Sequence, residues 1–298
     1  MKYFITGASG LIGSAVTAEL LSHGHSIIAI ARSDKSAEEL EKKGVEVIRG
    51  DLESLDALAA GASKADGVVH LAFVHDFSNF KKSIEVDRTA ITTMLEALKG
   101  SDKPFIMVGG ALVLASDGKT PADEDSPFIP LPPEMNRPEN ETFALGYAIP
   151  NHVRAMSIRL PPSVHGRADL HGFIPITVAG DRKYGSAVYL GEGKNKWPAV
   201  NVSDAATLIR LALEKGKAGR PYNAIGERGI EFRTIAEAIG KKYKLPVKSV
   251  NPEEATKVLG FLATFAGLGL EASSEKTKKE LGWEVKGDGL LEDIKNYY

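Results

Sequence analysis

The sequence predicts an α/β fold: a doubly wound parallel sheet with helices on both faces and a smaller, mostly helical substrate-binding region toward the C-terminus. Three observations carry this. The chain opens on MKYFITGASGLIG, a short apolar strand that turns through Gly7, Gly10 and Gly13 into a helix. Strand and helix patterns then alternate to about residue 160. The strands are near-continuous apolar runs, the pattern of strands covered on both faces.

The elements follow in order. Lys2 to Thr6 read as the first strand, and from Leu11 the pattern turns helical, with Ile12, Val16 and Leu20 on one face. His23-Gly24-His25 end that helix, and Ser26 to Ala31 form a second strand. Glu38 to Lys43 make a charged helix, Val45 to Ile48 a third strand, and Leu55 to Ala60 another helix. Val68 to Leu71 are the fourth strand, Ile84 to Leu98 a long amphipathic helix, and Phe105 to Val108 the fifth strand. Residues 120–138 hold six prolines and several acids, which predicts a functional loop beside the site. A helix over 140–148 leads to a sixth strand at 153–160. Residues 163–193 carry few sheet-forming runs. Short strands are expected at 198–202 and 222–224, a helix between them at 205–215, and helices at 232–242, 252–259 and 274–281. The implied division is a dinucleotide-binding domain over 1–162, completed by about 198–225, with a cap made of 163–197 and 226–298.

Composition narrows the function. Of 298 residues, 43% are hydrophobic and 26% charged, an ordinary globular balance. A net charge of -2 argues against a nucleic-acid partner. The absence of cysteine excludes disulfides and cysteine nucleophiles, and no histidine or carboxylate spacing suits zinc, so no metal is expected. No apolar run reaches the roughly 20 residues of a membrane span. A first strand at residue 2 leaves no room for a signal peptide, so a cytoplasmic protein is expected. A small-molecule substrate is the expected partner.

A strand that turns through glycines into a helix binds phosphate. Missing side chains let the backbone approach a pyrophosphate, and the free helix N–H groups and dipole face its charge. After the second strand, Arg32 and Ser33 occupy the place where an acid would select NAD, while an arginine can pair a 2′-phosphate; this points to NADP, with NAD as the alternative. Asp51 and Leu52, after the third strand, are candidates for the adenine edge and face; Asp51 suits a helix N-cap equally well.

Taken together, TGASGLIG, GDL (50–52), VVHLAF (68–73), DRTAITTMLEAL (87–98), KPFIMV (103–108), RLPPSVHG (159–166), WPAVNVSDAATLIRLAL (197–213) and TKKELGW (277–283) resemble the extended short-chain dehydrogenase/reductase superfamily, with its NAD-dependent epimerase/dehydratase-like members. The resemblance spans nearly the whole chain and implies a Rossmann-type sheet. It implies that Gly7, Ser9, Gly10, Leu11, Ile12 and Gly13 hold the pyrophosphate. Leu71, Ala72 and Phe73 would line the adenosine side, Val108 and Gly109 would pass beneath the nicotinamide ribose, and Pro161, Pro162, Ser163 and Val164 would meet the carboxamide. A homodimer is common among such relatives.

The catalytic positions depart from that pattern. The superfamily has a Ser or Thr after the fifth strand and a Tyr-x-x-x-Lys on the next helix, the tyrosine acting as acid/base. Here Gly109, Gly110 and Ala111 follow the strand; counting back from Arg159 through Glu141 places the tyrosine at Pro133 and the lysine at Arg137. Tyr147-x-x-x-Asn151 keeps half the motif, too near the sixth strand. Arg137 is therefore the candidate site cation, for ribose or an anionic substrate, against a plain salt bridge to Glu139 or Glu141. His165 is the histidine with the best claim to proton transfer, ahead of His75 and His171. The expected activity is NADPH-dependent reduction of a small carbonyl compound. The alternatives are a dinucleotide sensor without chemistry and a nucleotide-sugar epimerase or dehydratase.

Overall fold

A computed structural model describes residues 1–76 and 78–298. In chain order it runs β1 (Lys2–Thr6), α1 (Leu11–Ser22), β2 (Ser26–Ala31), α2 (Asp34–Glu41), β3 (Glu46–Arg49), α3 (Leu55–Lys64), β4 (Gly67–His70), α4 (Phe80–Leu98), β5 (Pro104–Gly110), α5 (Pro138–Ala148), β6 (Arg154–Leu160) and β7 (Ser163–His165). It continues with α6 (Phe173–Tyr184), β8 (Ala187–Leu190), β9 (Lys196–Asn201), α7 (Val202–Lys215), β10 (Arg220–Asn223), β11 (Glu227–Glu231), α8 (Phe232–Tyr243), β12 (Val247–Val250), α9 (Pro252–Leu259), α10 (Leu262–Ala266), α11 (Glu275–Leu281) and α12 (Leu290–Asn296).

Seven parallel strands form the central sheet in the order β10-β6-β5-β4-β1-β2-β3. Strand order reverses beside β1, between β4 and β2, so a crevice opens at the carboxyl ends of β1 and β4. The apolar strands alternate their side chains into two cores. One joins Ile5, Ile27, Ile106 and Ile158 to α1 and α7; the other joins Phe4, Ile28, Val68 and Phe105 to α3, α4 and α5. This is the Rossmann-type layering expected.

The remaining strands lie outside that sheet. β7, β9 and β11 make a three-stranded sheet, and β8 pairs with β12. Together with α6, α8, α9 and α12 they enclose a third core around Trp197 and Phe232. The strand expected at 198–202 is thus part of the small sheet, whereas β10 joins the large one. Residues 163–193 hold more structure than their composition suggested, namely β7, α6 and β8. Pro175 is tolerated in α6 because it stands in the first turn, where its missing N–H costs no helix bond. The proline-rich stretch after β5 is pinned at two points: Leu114 bridges to Phe128 and Ala122 to Ala272. Among the described residues no helix is long and apolar enough to cross a membrane.

Candidate active site at the carboxyl ends of β1, β4 and β5

The glycine turn is built by close approach. Gly7 has φ +74°, and a Cβ there would lie 2.8 Å from the Ala72 amide nitrogen; one on Gly13 would lie 2.0 Å from the Gly7 carbonyl oxygen. Neither position accepts a side chain without moving the loop. Gly10 is the extended N-cap of α1 and offers no side-chain cap, so the first N–H groups of the helix stay available. Ser9 and Gly10 are exposed, and Leu11 and Ile12 partly so. No acid occupies the first turn, which keeps the positive end of the helix uncompensated.

Arg32 is exposed at the end of β2. Ser33 is the N-cap of α2 and accepts the Ser36 N–H in a capping box. Asp34 forms an ion pair with Arg49, a second cation at this edge that sequence spacing did not reveal. Asp51 accepts hydrogen bonds from the Ser54 hydroxyl and the Glu53 N–H, which hold its carboxyl below the usual range. The N-cap of α3 is Ser54 rather than Asp51, because residues 51–54 make a tight turn before the helix. Leu52 is buried against the second core.

Leu71, Ala72 and Phe73 follow β4, and the Ala72 N–H donates to Thr6 Oγ1. Arg137 immediately precedes α5, and its guanidinium reaches back to the sheet. Nη2 donates to the Val108 carbonyl at 3.1 Å, Nε lies 3.4 Å from Asp87 Oδ2, and the plane covers the Phe73 ring at 3.9 Å. Its partner is therefore Asp87 on α4, fifty residues away, and not Glu139 or Glu141. Glu141 instead binds Arg159 and Ser157, and its Oε2 fills the space a Cβ on Gly109 would need, 2.5 Å away. Gly110 has open space at its α-carbon.

The structure does not bring His165 together with Arg137. His165 is fully buried on β7, its Nδ1 2.6 Å from Asp293 Oδ2 of α12 and its Nε2 3.8 Å from Glu227. Pro161 is buried and Pro162 and Val164 are partly so; the Ser163 hydroxyl is buried with no hydrogen-bond partner among the described residues. Tyr147 lies in the second core beside Glu96, where burial pushes its hydroxyl up to about 12. His75, whose ring stands edge-on to Phe73 with centroids 5.2 Å apart, is held below the ordinary histidine range by desolvation and by Arg137. His171 lies in the exposed turn before α6. Trp197 is core, packed on Phe173 and Phe232.

Sequence reasoning missed Asp87, His70 and Asn140, which surround Arg137 from behind. A signal for Asp87 was present: it shares the inner face of α4 with Ile84, Ile91 and Met94, and a charge on an apolar face requires a partner.

Comparison with known proteins places this geometry. The chain is 45% identical over 304 residues to an uncharacterised protein of Saccharomyces cerevisiae, covering 100% of this chain and 99% of that one. It is 24% identical over 242 residues to a decarboxylating sterol-4-alpha-carboxylate 3-dehydrogenase of Dictyostelium discoideum, covering 77% and 73%. The crystal structure of a dTDP-glucose 4,6-dehydratase from Streptomyces venezuelae, with NAD bound, superposes with a TM-score of 0.81 at 18% identity, covering 100% and 95%, a likeness of fold. The model of the NAD dependent epimerase/dehydratase family matches residues 3–225. The chain therefore belongs to the NAD dependent epimerase/dehydratase family.

Proposed function

We propose that this family member is an NADPH-dependent reductase of small carbonyl compounds, working in the cytoplasm. The observation that carries the reading is the cradle at Gly7 and Gly13, where any Cβ would collide with the main chain, set at an uncapped helix N-terminus. The unpartnered, buried Ser163 hydroxyl at the far end of the crevice fits a carboxamide as its missing partner. Gly7, Ser9, Gly10, Leu11, Ile12 and Gly13 would hold the pyrophosphate, and Arg32 with Ser33 the 2′-phosphate. Asp51, Leu52, Leu71, Ala72 and Phe73 would border the adenosine. Val108, Gly109, Pro161, Pro162, Ser163 and Val164 would border the nicotinamide half. The bound coenzyme would supply the hydride.

The protein's own part is position and charge. Arg137 stands where relatives of this type place a lysine, and Pro133 where they place the tyrosine. A guanidinium offers only donors, so it would orient hydroxyls and carbonyl oxygens. His165 is shut away by full burial and its bond to Asp293. The proton consumed in reduction is then drawn from solvent, which reaches the end of β5 at the exposed Gly110.

The absent tyrosine favours a second reading, a dinucleotide sensor without turnover. NADPH oxidation against a panel of aldehydes, ketones and quinones tests both: turnover of any panel member supports the reductase, and tight NADPH binding with none supports the sensor. Binding of neither NADPH nor NADH would remove both.

A further inference from the structure

Behind Arg137 lies a buried polar chain that the reaction scheme above does not use. Asp87 gathers three donors: Asn140 Nδ2 at 2.9 Å and Arg137 Nε at 3.4 Å on Oδ2, and His70 Nε2 at 3.2 Å on Oδ1. The other His70 nitrogen, Nδ1, is 2.7 Å from Thr6 Oγ1, and that same oxygen accepts the Ala72 N–H at 3.2 Å. Thr6, His70 and Asp87 are essentially inaccessible to solvent.

The proton positions follow from this pattern. Asp87 Oδ1 is an acceptor for the ring hydrogen on His70 Nε2. Nδ1 is then left to face Thr6 Oγ1, which has a hydrogen to offer it and a lone pair for the Ala72 amide. Asp87 therefore meets donors only and is ionised; burial opposes this, but Arg137 and His70 keep its carboxyl below the usual range. The chain thus runs from the residue before Gly7 to the guanidinium at the end of β5.

Arg137 has little freedom left. Nε is used by Asp87, Nη2 by the Val108 carbonyl, and one face by Phe73. Its charge is matched at contact distance by a carboxylate that is 1% exposed. The neighbouring His75 adds no charge at neutral pH, since desolvation and Arg137 both disfavour its protonation.

We propose that Asp87 is the positioning residue of this site: it clamps Arg137 and cancels its charge, so that the guanidinium donates to uncharged oxygens and the substrate is a neutral carbonyl compound, not an oxo acid. The substrate half of this statement rests on the reductase reading; the clamp does not. A lone arginine in a crevice would recruit carboxylates. An arginine already paired with Asp87 offers them no net charge.

The test uses the full chain, NADPH, and two substrates of one carbon skeleton, an aldehyde and its 2-oxo acid. Wild type is expected to favour the aldehyde. Asp87→Asn is expected to lower kcat and to shift the ratio of kcat/KM values toward the oxo acid by about fivefold or more, an effect that shrinks with added salt. Arg137→Leu, which leaves Asp87 without its cation, is expected to shift the ratio the other way. A damaged fold would lower both substrates alike and would not move the ratio. A ratio unmoved in either folded variant, or a wild type that prefers the oxo acid, overturns the proposal. If wild type binds NADPH but reduces neither compound, the reductase reading fails and the clamp is read from NADPH affinity instead. The double variant Asp87→Asn/Arg137→Leu is then expected to lose no more than the worse single variant, and additive losses overturn the clamp.

Discussion

Replacing Gly13 by alanine tests the proposed diphosphate cradle most directly. The new Cβ would stand 2.0 Å from the Gly7 carbonyl oxygen and 2.7 Å from the Ala8 α-carbon. Ordinary carbon–oxygen contact needs more than an ångström beyond that, so either α1 or the loop must move. Forcing one extra methyl into a filled site costs about 1–3 kcal/mol. Gly7 and the start of α1 are the groups proposed to meet the coenzyme, so the same displacement should weaken NADPH binding by about 10- to 100-fold. The control is Gly44→Ala, at φ +79° with open space around its Cβ. That change strains the backbone by about 1–2 kcal/mol but touches nothing in the crevice. Thermal melts without coenzyme would report the stability loss of both, and fluorescence titration with NADPH the affinity. A Gly13→Ala protein that is folded and binds NADPH as tightly as wild type would refute the assignment of this loop.

Arg32→Ala should weaken NADPH about tenfold while leaving NADH unchanged, read by parallel titrations; equal losses for both coenzymes would remove the 2′-phosphate role. His165→Asn should lower stability by about 1–3 kcal/mol through the lost bond to Asp293, with NADPH affinity retained; a well-folded variant that had lost turnover alone would return His165 to the chemistry. Asp181 gives a pH dependence. It is buried in α6, and desolvation raises its carboxyl from 3.8 to about 7. A folded value above the unfolded one means the contribution is intact below about pH 4 and is lost as pH rises through 7, to a ceiling of roughly 4 kcal/mol. Wild type should therefore melt lower at pH 8 than at pH 5, and Asp181→Asn, which keeps an oxygen for the Val188 N–H, should reduce that difference. An identical pH profile in the variant would sink the argument.

What was legible in the sequence was local. The glycine turn could be read because strand, turn and helix are consecutive, and each constraint acts within a few residues: Gly13 meets Gly7 and Ala8. The sheet was legible for a related reason. A strand covered on both faces has to be apolar throughout, so IIAIA and GVV announce themselves without knowledge of their neighbours. The small strands were not legible in this way. Glu227–Glu231 is mostly polar and half exposed, and it is a strand because β9 offers it an edge.

The catalytic end fails to show itself for the same reason, carried further. The family resemblance implied a place for His165 at the nicotinamide end, and its ring is bound to Asp293, 128 residues later. Arg137 offered nearby acids at 139 and 141, and the fold chose Asp87 instead, because α5 runs beside α4 and turns Glu141 inward to Arg159. Distance along the chain governs neither choice. Solvation governs both: a carboxylate on the inner face of α4 must find donors or stay protonated, and here they come from β4 and the start of α5, as His70, Arg137 and Asn140. A buried charge is thus the one long-range contact that a sequence does announce, though without naming its partner. Asp87 links the glycine turn after β1, through Thr6 and His70, to the Arg137 guanidinium.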